Sequence, residues 1–147
     1  MDVTFPNGTT VRASGIAARD TDEGWRQFGL YCDAAWQPDW PAVTIDWPDF
    51  GVPSDPNAAA TQIRDAFQRA LVGERVEVGC LGGQGRTGTV LACIAVLAGV
   101  PGDEAVGWVR RNYRPEAVET QGQVEWVAWF AGWAEQNGSL TDVNRAE

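Results

Sequence analysis

"RVEVGCLGGQGRTGTVLACIAVLAG", residues 75–99, decides the fold. Residues 75–79 alternate apolar side chains and predict a β-strand. Residues 87–99 are apolar nearly all round and predict a buried central helix. Between them three glycines, Gly82, Gly83 and Gly85, separate Cys80 from Arg86. Glycine is costly to order, so the backbone itself must have a task here. A strand, a glycine-rich loop and a helix place that loop at a helix N-terminus, where unsatisfied N–H groups and partial positive charge coincide. Glycines let successive N–H groups turn inward as a nest for a tetrahedral anion. Leu81, Gly82, Gly83, Gln84, Gly85 and Arg86 are the candidate phosphate-binding residues, with the planar fork of Arg86 suited to clamping two oxygens. Cys80 falls at the base of the same pocket. An ordinary thiol, with a pKa of ~8.5, is only a few per cent thiolate at neutral pH, and nearby N–H dipoles and a guanidinium lower it to ~3.5–7.5. The loop is therefore built to bind an oxyanion and to activate the nucleophile that attacks it.

The rest of the chain narrows the chemistry. There are 147 residues, the size of one domain, and the formal charge is −9. Such an acidic chain is a poor general binder of nucleic acid or anionic membrane, so an anion site must be local. The chain has no histidine and no lysine. That removes zinc–histidine sites, histidine bases and Ser-His-Asp triads, and no metal or cofactor is called for. Arginine without lysine, with much alanine, valine and glycine, points to a bacterial genome of high GC content. Three cysteines, Cys32, Cys80 and Cys93, are too few and too odd for a disulfide framework and indicate a reducing cytoplasm. The N-terminus lacks the pattern of a signal peptide, and the apolar run near 89–100 is too short to span a membrane.

The pattern outside the loop predicts a single α/β domain with a mostly parallel, twisted central sheet flanked by helices. Residues 1–40 read as an N-terminal hairpin around Asn7-Gly8 followed by loops, with 14–27 as loop and 28–32 as a strand. Residues 42–47 predict another strand and 47–56 a proline-rich loop. Ser54 or Asp55 caps a following helix, Pro56 suits its first turn, and Gly73 ends it. Ala59, Ile63, Ala66, Phe67, Ala70 and Leu71 share one face of it. Asp103 caps a helix through about Tyr113, and a last helix over 120–136 turns Val124, Val127, Phe130 and Ala131 inward. Residues 137–147 read as a frayed tail.

A Cys–Arg pair six apart arises by chance about 0.2 times with three cysteines and 11 arginines in 147 residues. Adding Gly83, Gly85, Thr87 and Gly88, in a strand–loop–helix context, makes chance remote. The stretch resembles the signature of the cysteine-dependent protein tyrosine and dual-specificity phosphatases, H-C-x5-R-[S/T]-G. "WPDFGVP", 47–53, is similar to the WPD loop of the same superfamily, and "RPEAVETQGQ", 114–123, to its glutamine-bearing segment. The resemblance runs from about Trp47 to Phe130. It implies a phosphatase-like domain, a phosphocysteine intermediate on Cys80, Arg86 as clamp and Asp49 as general acid. It also implies Thr87 as donor to the departing thiolate and Gln123 as a residue that orients the hydrolytic water. The implied substrate is a phosphorylated protein or a small phosphoester. Two departures stand out: Gly79 replaces the family's histidine, and Glu119 stands where tyrosine-specific members often carry a glutamine.

Two other classes share such a loop. A phosphate-binding pseudophosphatase is motivated by Gly79. Arsenate reductases and sulfurtransferases also place a cysteine in an anion loop, although Asp49 has no clear role in sulfur transfer. Among the remaining residues, Cys93 reads as core and Cys32 as a buried strand residue, with a resolving thiol as its alternative. Trp126, Trp129 and Trp133 read as packing, and Arg110, Arg111 and Arg114 as a solvated helix end.

Overall fold

The computed structural model describes residues 1–15, 25–33, 38–80 and 84–137. Five strands form one mixed sheet in the order β1-β2-β5-β3-β4. They are β1 (Asp2–Thr4), β2 (Thr10–Gly15), β3 (Phe28–Tyr31), β4 (Ala42–Thr44) and β5 (Val76–Cys80). Only the β1–β2 pair is antiparallel; β2, β5, β3 and β4 run parallel. The expected hairpin is present, turned at Asn7-Gly8, where the Asn7 Oδ1 accepts from the Thr9 N–H at 3.1 Å. Ser14 and Gly15, expected in a loop, extend β2 because their backbone pairs with Gly79 and Cys80. The strand expected over 42–47 stops at Thr44: the Ile45 N–H still donates to the Tyr31 carbonyl, but the Asp46 carbonyl accepts from the Ser54 N–H of the following loop. Residues 81–83 and 138–147, the centre of the glycine loop and most of the expected tail, lie outside the described residues, as does most of the 14–27 segment.

Four helices complete the domain: α1 (Pro56–Leu71), α2 (Gly85–Leu97), α3 (Ala105–Asn112) and α4 (Gln121–Gln136). The N-cap of α1 is Asp55, which accepts from the Ala58 N–H, with Pro56 at the first position as expected. Its core face is Ala59, Ile63, Ala66, Phe67 and Ala70; Leu71 is 44% exposed, because the helix ends there and Val72 and Gly73 turn away. The cap of α3 is Glu104 rather than Asp103, and no side chain bonds to it; the turn Pro101–Glu104 closes first. On α4 the buried set is Gln123, Trp126, Val127, Phe130, Trp133 and Ala134, whereas Val124 and Ala131 are half-buried flanks. Trp126 and Trp133 pack inward, and Trp129 is 40% exposed.

The core lies between the sheet and α2, whose residues Gly85–Ala95 are all buried. Every residue of β5 is also buried. That is the signature of a central parallel strand covered on both faces. Val76, Val78 and Cys80 point to one side, Glu77 and Gly79 to the other. Glu77 is fully buried and therefore needs partners. Arg26 meets both of its oxygens, at 3.0 and 3.1 Å, and the Tyr31 hydroxyl donates to Oε1 at 2.5 Å. Trp40 Nε1 in turn donates to the Tyr31 hydroxyl at 2.9 Å. Burial, reinforced by Glu77, pushes the Tyr31 phenol far above its ordinary range. This network staples the segment before β3 to the strand that ends at Cys80.

Candidate active site

Three segments far apart in sequence meet where β5 ends and α2 begins. Cys80 is the last residue of β5 and is 2% exposed. Arg86 lies in the first turn of α2 and is 7% exposed. Asp49 lies on the turn after β4, where the Gly51 N–H donates to the Pro48 carbonyl at 2.9 Å. These residues, with Phe50, Gln84, Gly85 and Glu119, line a cavity of about 160 Å³. A larger concavity of about 500 Å³ beside the Asn7–Thr10 turn contains no cysteine and none of the signature residues.

The orientation of Arg86 is set by the backbone. Its Nη1 donates to the carbonyls of Cys32, at 2.7 Å, and Trp47, at 2.9 Å. The Nε edge faces Asp49, with Nε to Oδ1 at 3.6 Å. A buried guanidinium held by two carbonyls is preorganised, so its remaining edge needs little reordering to receive an oxyanion. α2 starts at Gln84 with no side-chain cap. As at any helix start, the first-turn N–H groups have no intrahelical acceptor and favour an anion. Thr87 is fully buried, and its hydroxyl has no hydrogen-bond partner among the described residues. The Tyr113 phenol is raised chiefly by burial, with Arg114 opposing the rise and Cys80 adding to it.

The turn bearing Asp49 is tightly built. Trp47 is buried, donates its indole N–H to the Gly51 carbonyl at 2.7 Å, and packs on Trp126 at 5.4 Å between centroids. Phe50 adopts a left-handed φ of 62° and is 60% exposed at the cavity rim. A bulky residue in that region is disfavoured by roughly 1–3 kcal/mol and persists only where its surroundings hold it. Asp49 Oδ1 accepts from the Phe50 N–H at 3.0 Å. Asp49 itself is half exposed at the cavity.

Gln123 is placed otherwise than the resemblance implies. It is fully buried and does not line the cavity. Its Oε1 accepts from the N–H groups of Glu119 (2.8 Å) and Thr120 (3.2 Å), and its Nε2 donates to the Gly51 carbonyl at 3.1 Å. Both ends of the amide are therefore committed to backbone. The Thr120-x-x-Gln123 spacing of a capping box was the signal for this, and the box is present. Glu119, by contrast, reaches the cavity: its Oε1 lies so close to Gly85 that a methyl group there would sit 2.1 Å away. At Gly79, where the family signature has histidine, an added Cβ would meet the Ser14 Oγ at 3.0 Å and the Tyr31 ring at 3.2 Å. Of the expected site residues, Cys80, Arg86, Asp49, Gln84 and Gly85 are thus brought together, Thr87 is buried and does not line the cavity, and Leu81, Gly82 and Gly83 fall outside the described residues.

Comparison with known proteins decides the ancestry. Residues 36–130, well over half of the chain, match the family described as protein-tyrosine phosphatase. The chain belongs to the protein-tyrosine phosphatase family. An uncharacterized protein of Methanocaldococcus jannaschii is 38% identical over 89 residues, which cover 59% of this chain and 57% of that one. The chain spans about half the length of such archaeal relatives. Human receptor-type tyrosine-protein phosphatase C is 33% identical over 107 residues, 69% of this chain and 8% of that protein. Among solved structures, Tk-PTP in its active form is 28% identical, with a TM-score of 0.64 over 74% of this chain and 80% of that one. Human DUSP28, 12% identical, shares the fold with a TM-score of 0.70 over 94% of this chain and all of that one. Among the described residues of this phosphatase-family chain, no helix is long and apolar enough to cross a membrane.

Proposed function

We propose that the protein hydrolyses phosphomonoesters through a phosphocysteine on Cys80, acting on a phosphorylated protein. What supports the reading is the convergence of Cys80, Arg86 and Asp49 on one small cavity. In the first step the Cys80 thiolate attacks phosphorus while Arg86 and the amides of the glycine loop hold the equatorial oxygens. The bond from phosphorus to the leaving oxygen breaks, and Asp49 gives that oxygen its proton. In the second step water attacks phosphorus, its proton passes to Asp49, and the phosphorus–sulfur bond breaks. The sulfur leaves as thiolate, to which the Thr87 hydroxyl is available as a donor. None of these steps requires a metal or cofactor. Phe50, exposed on the rim beside Asp49, offers an aromatic face to an aryl leaving group, which favours phosphotyrosine. The acidic surface makes nucleic acid and anionic membranes poor partners, and the sparse cysteines fit a reducing cytoplasm.

The test is hydrolysis of p-nitrophenyl phosphate by wild type and by Cys80→Ser. The proposal expects turnover in the first and none above background in the second; equal rates refute it. Gly79, boxed in by Ser14 and Tyr31, favours a second reading, a phosphate binder with an underpowered thiol. Saturable phosphopeptide binding without Cys80-dependent turnover is the result that selects it.

A further inference from the structure

We propose that Arg110 on α3 is a positioning residue for the general acid, acting through the segment 117–123; this rests on the function proposed above. The side chain is exposed, yet two of its three guanidinium nitrogens bond backbone. Nε donates to the Ala117 carbonyl at 2.9 Å and Nη2 to the Val118 carbonyl at 2.7 Å. Val118 is buried and has a left-handed φ of 63°. For a β-branched residue that conformation is an outlier and needs external support. Arg110 supplies it with a fork of two charge-assisted bonds, to the carbonyls on either side of the Val118 Cα.

The consequence reaches Asp49 by printed contacts. Holding 117 and 118 fixes the N–H groups of Glu119 and Thr120, which orient the Gln123 amide. Gln123 then grips the Gly51 carbonyl, and Gly51 closes the turn that carries Asp49. With Arg110 removed, the Val118 peptide is released to a right-handed conformation, the two amides move, and the grip on the acid turn slackens. No hydrogen bond in this chain of contacts is made to Cys80; Asp49, at its end, faces Arg86 Nε at 3.6 Å, and Glu119 shares the cavity. The loss therefore falls more heavily on proton donation than on phosphate binding or nucleophilic attack.

The experiment measures kcat/KM of wild type, Arg110→Met and Arg110→Lys on a series of aryl phosphates of rising leaving-group pKa. Misplacement by about an ångström costs up to ~100-fold where geometry matters, so Arg110→Met should lose about 10-fold on phenyl phosphate and less than about 3-fold on p-nitrophenyl phosphate. Arg110→Lys, which keeps one donor, should recover part of that loss. In an Asp49→Asn background Arg110→Met should cost nothing further, since both changes act on one proton transfer. A loss equal on every ester, as a smaller folded fraction gives, overturns the proposal, and so does a loss that adds to that of Asp49→Asn. If Arg110→Met fails to fold, the same comparisons on Arg110→Lys decide. Absence of Cys80-dependent turnover in the wild type removes the function on which the proposal stands, an outcome distinct from the others.

Discussion

Replacing Gly88 with alanine probes the packing that presents the site. Gly88 is in the second half of the first turn of α2, within the Arg-Thr-Gly of the signature. A methyl group there would lie 2.6 Å from the Ala117 Cβ and 3.0 Å from both the Ala117 Cα and the Val118 N. Those are backbone and Cβ atoms, which cannot swing aside as a long side chain does. Overpacking of this kind costs about 1–3 kcal/mol. The alanine also gains helix propensity, about 1 kcal/mol over glycine. The net expectation is a loss of roughly 0–2 kcal/mol, or a fall in Tm of up to about 8 °C at about 2–4 °C per kcal/mol for a chain near this size. The control is Gly132→Ala on α4, where nothing lies within 4 Å of the added methyl. There only the propensity gain of up to about 1 kcal/mol operates, and Tm should rise by a few degrees. Paired thermal melts monitored by circular dichroism provide the assay. Turnover should also fall in Gly88→Ala, because the displaced 117–118 segment carries Glu119 and Gln123. If Gly88→Ala rises in Tm as much as Gly132→Ala and keeps full activity, the close approach of α2 to residues 117–118 is wrong.

Three further outcomes follow from the site. Asp49→Ala should slow an alkyl or phenyl phosphate by about 10²–10⁴ and p-nitrophenyl phosphate far less; equal slowing across leaving groups removes Asp49 as the acid. Arg86→Lys should lose about 10²–10³ in kcat/KM, because one ammonium cannot replace a fork that also holds the Cys32 and Trp47 carbonyls; near-normal activity refutes the clamp. Burial raises the Cys32 and Cys93 thiols and the Tyr31 phenol in the folded protein. A raised pKa means that the unfolded chain loses its protons first, so stability is intact below about pH 8 and falls as pH climbs past the ordinary thiol pKa of ~8.5 and phenol pKa of ~10. Thermal melts from pH 6 to 10 check the direction, and a Tm that rises above pH 8.5 contradicts it.

The parts of the molecule visible in the sequence are those fixed by local rules. Asp55-Pro56 announces the start of α1, Asn7-Gly8 the hairpin, and the strand, glycines and apolar run around Cys80 the heart of the fold. What escaped depends on partners distant in sequence or on backbone atoms that carry no letter. Glu77 looks like an outward-facing charge on an alternating strand, but its counter-ion, Arg26, is 51 residues away. Leu71 fits the periodicity of α1, yet the helix ends at that residue and leaves it exposed. Arg110 reads as a solvated helix-end cation because its acceptors are two carbonyls in a left-handed turn that no residue type signals; a valine is an unlikely choice there. Gln123 carries a readable capping box, but its second task, the hold on Gly51, spans 72 residues.

The central claim is that phosphate passes through sulfur, and rapid acid quench tests it most directly. Wild-type protein mixed with p-nitrophenyl phosphate and quenched within milliseconds is digested and weighed by mass spectrometry. The account predicts a phosphoryl adduct on the peptide containing Cys80, absent from Cys80→Ser and increased when the hydrolytic step is slowed. Steady turnover with that peptide unmodified at every quench time contradicts it.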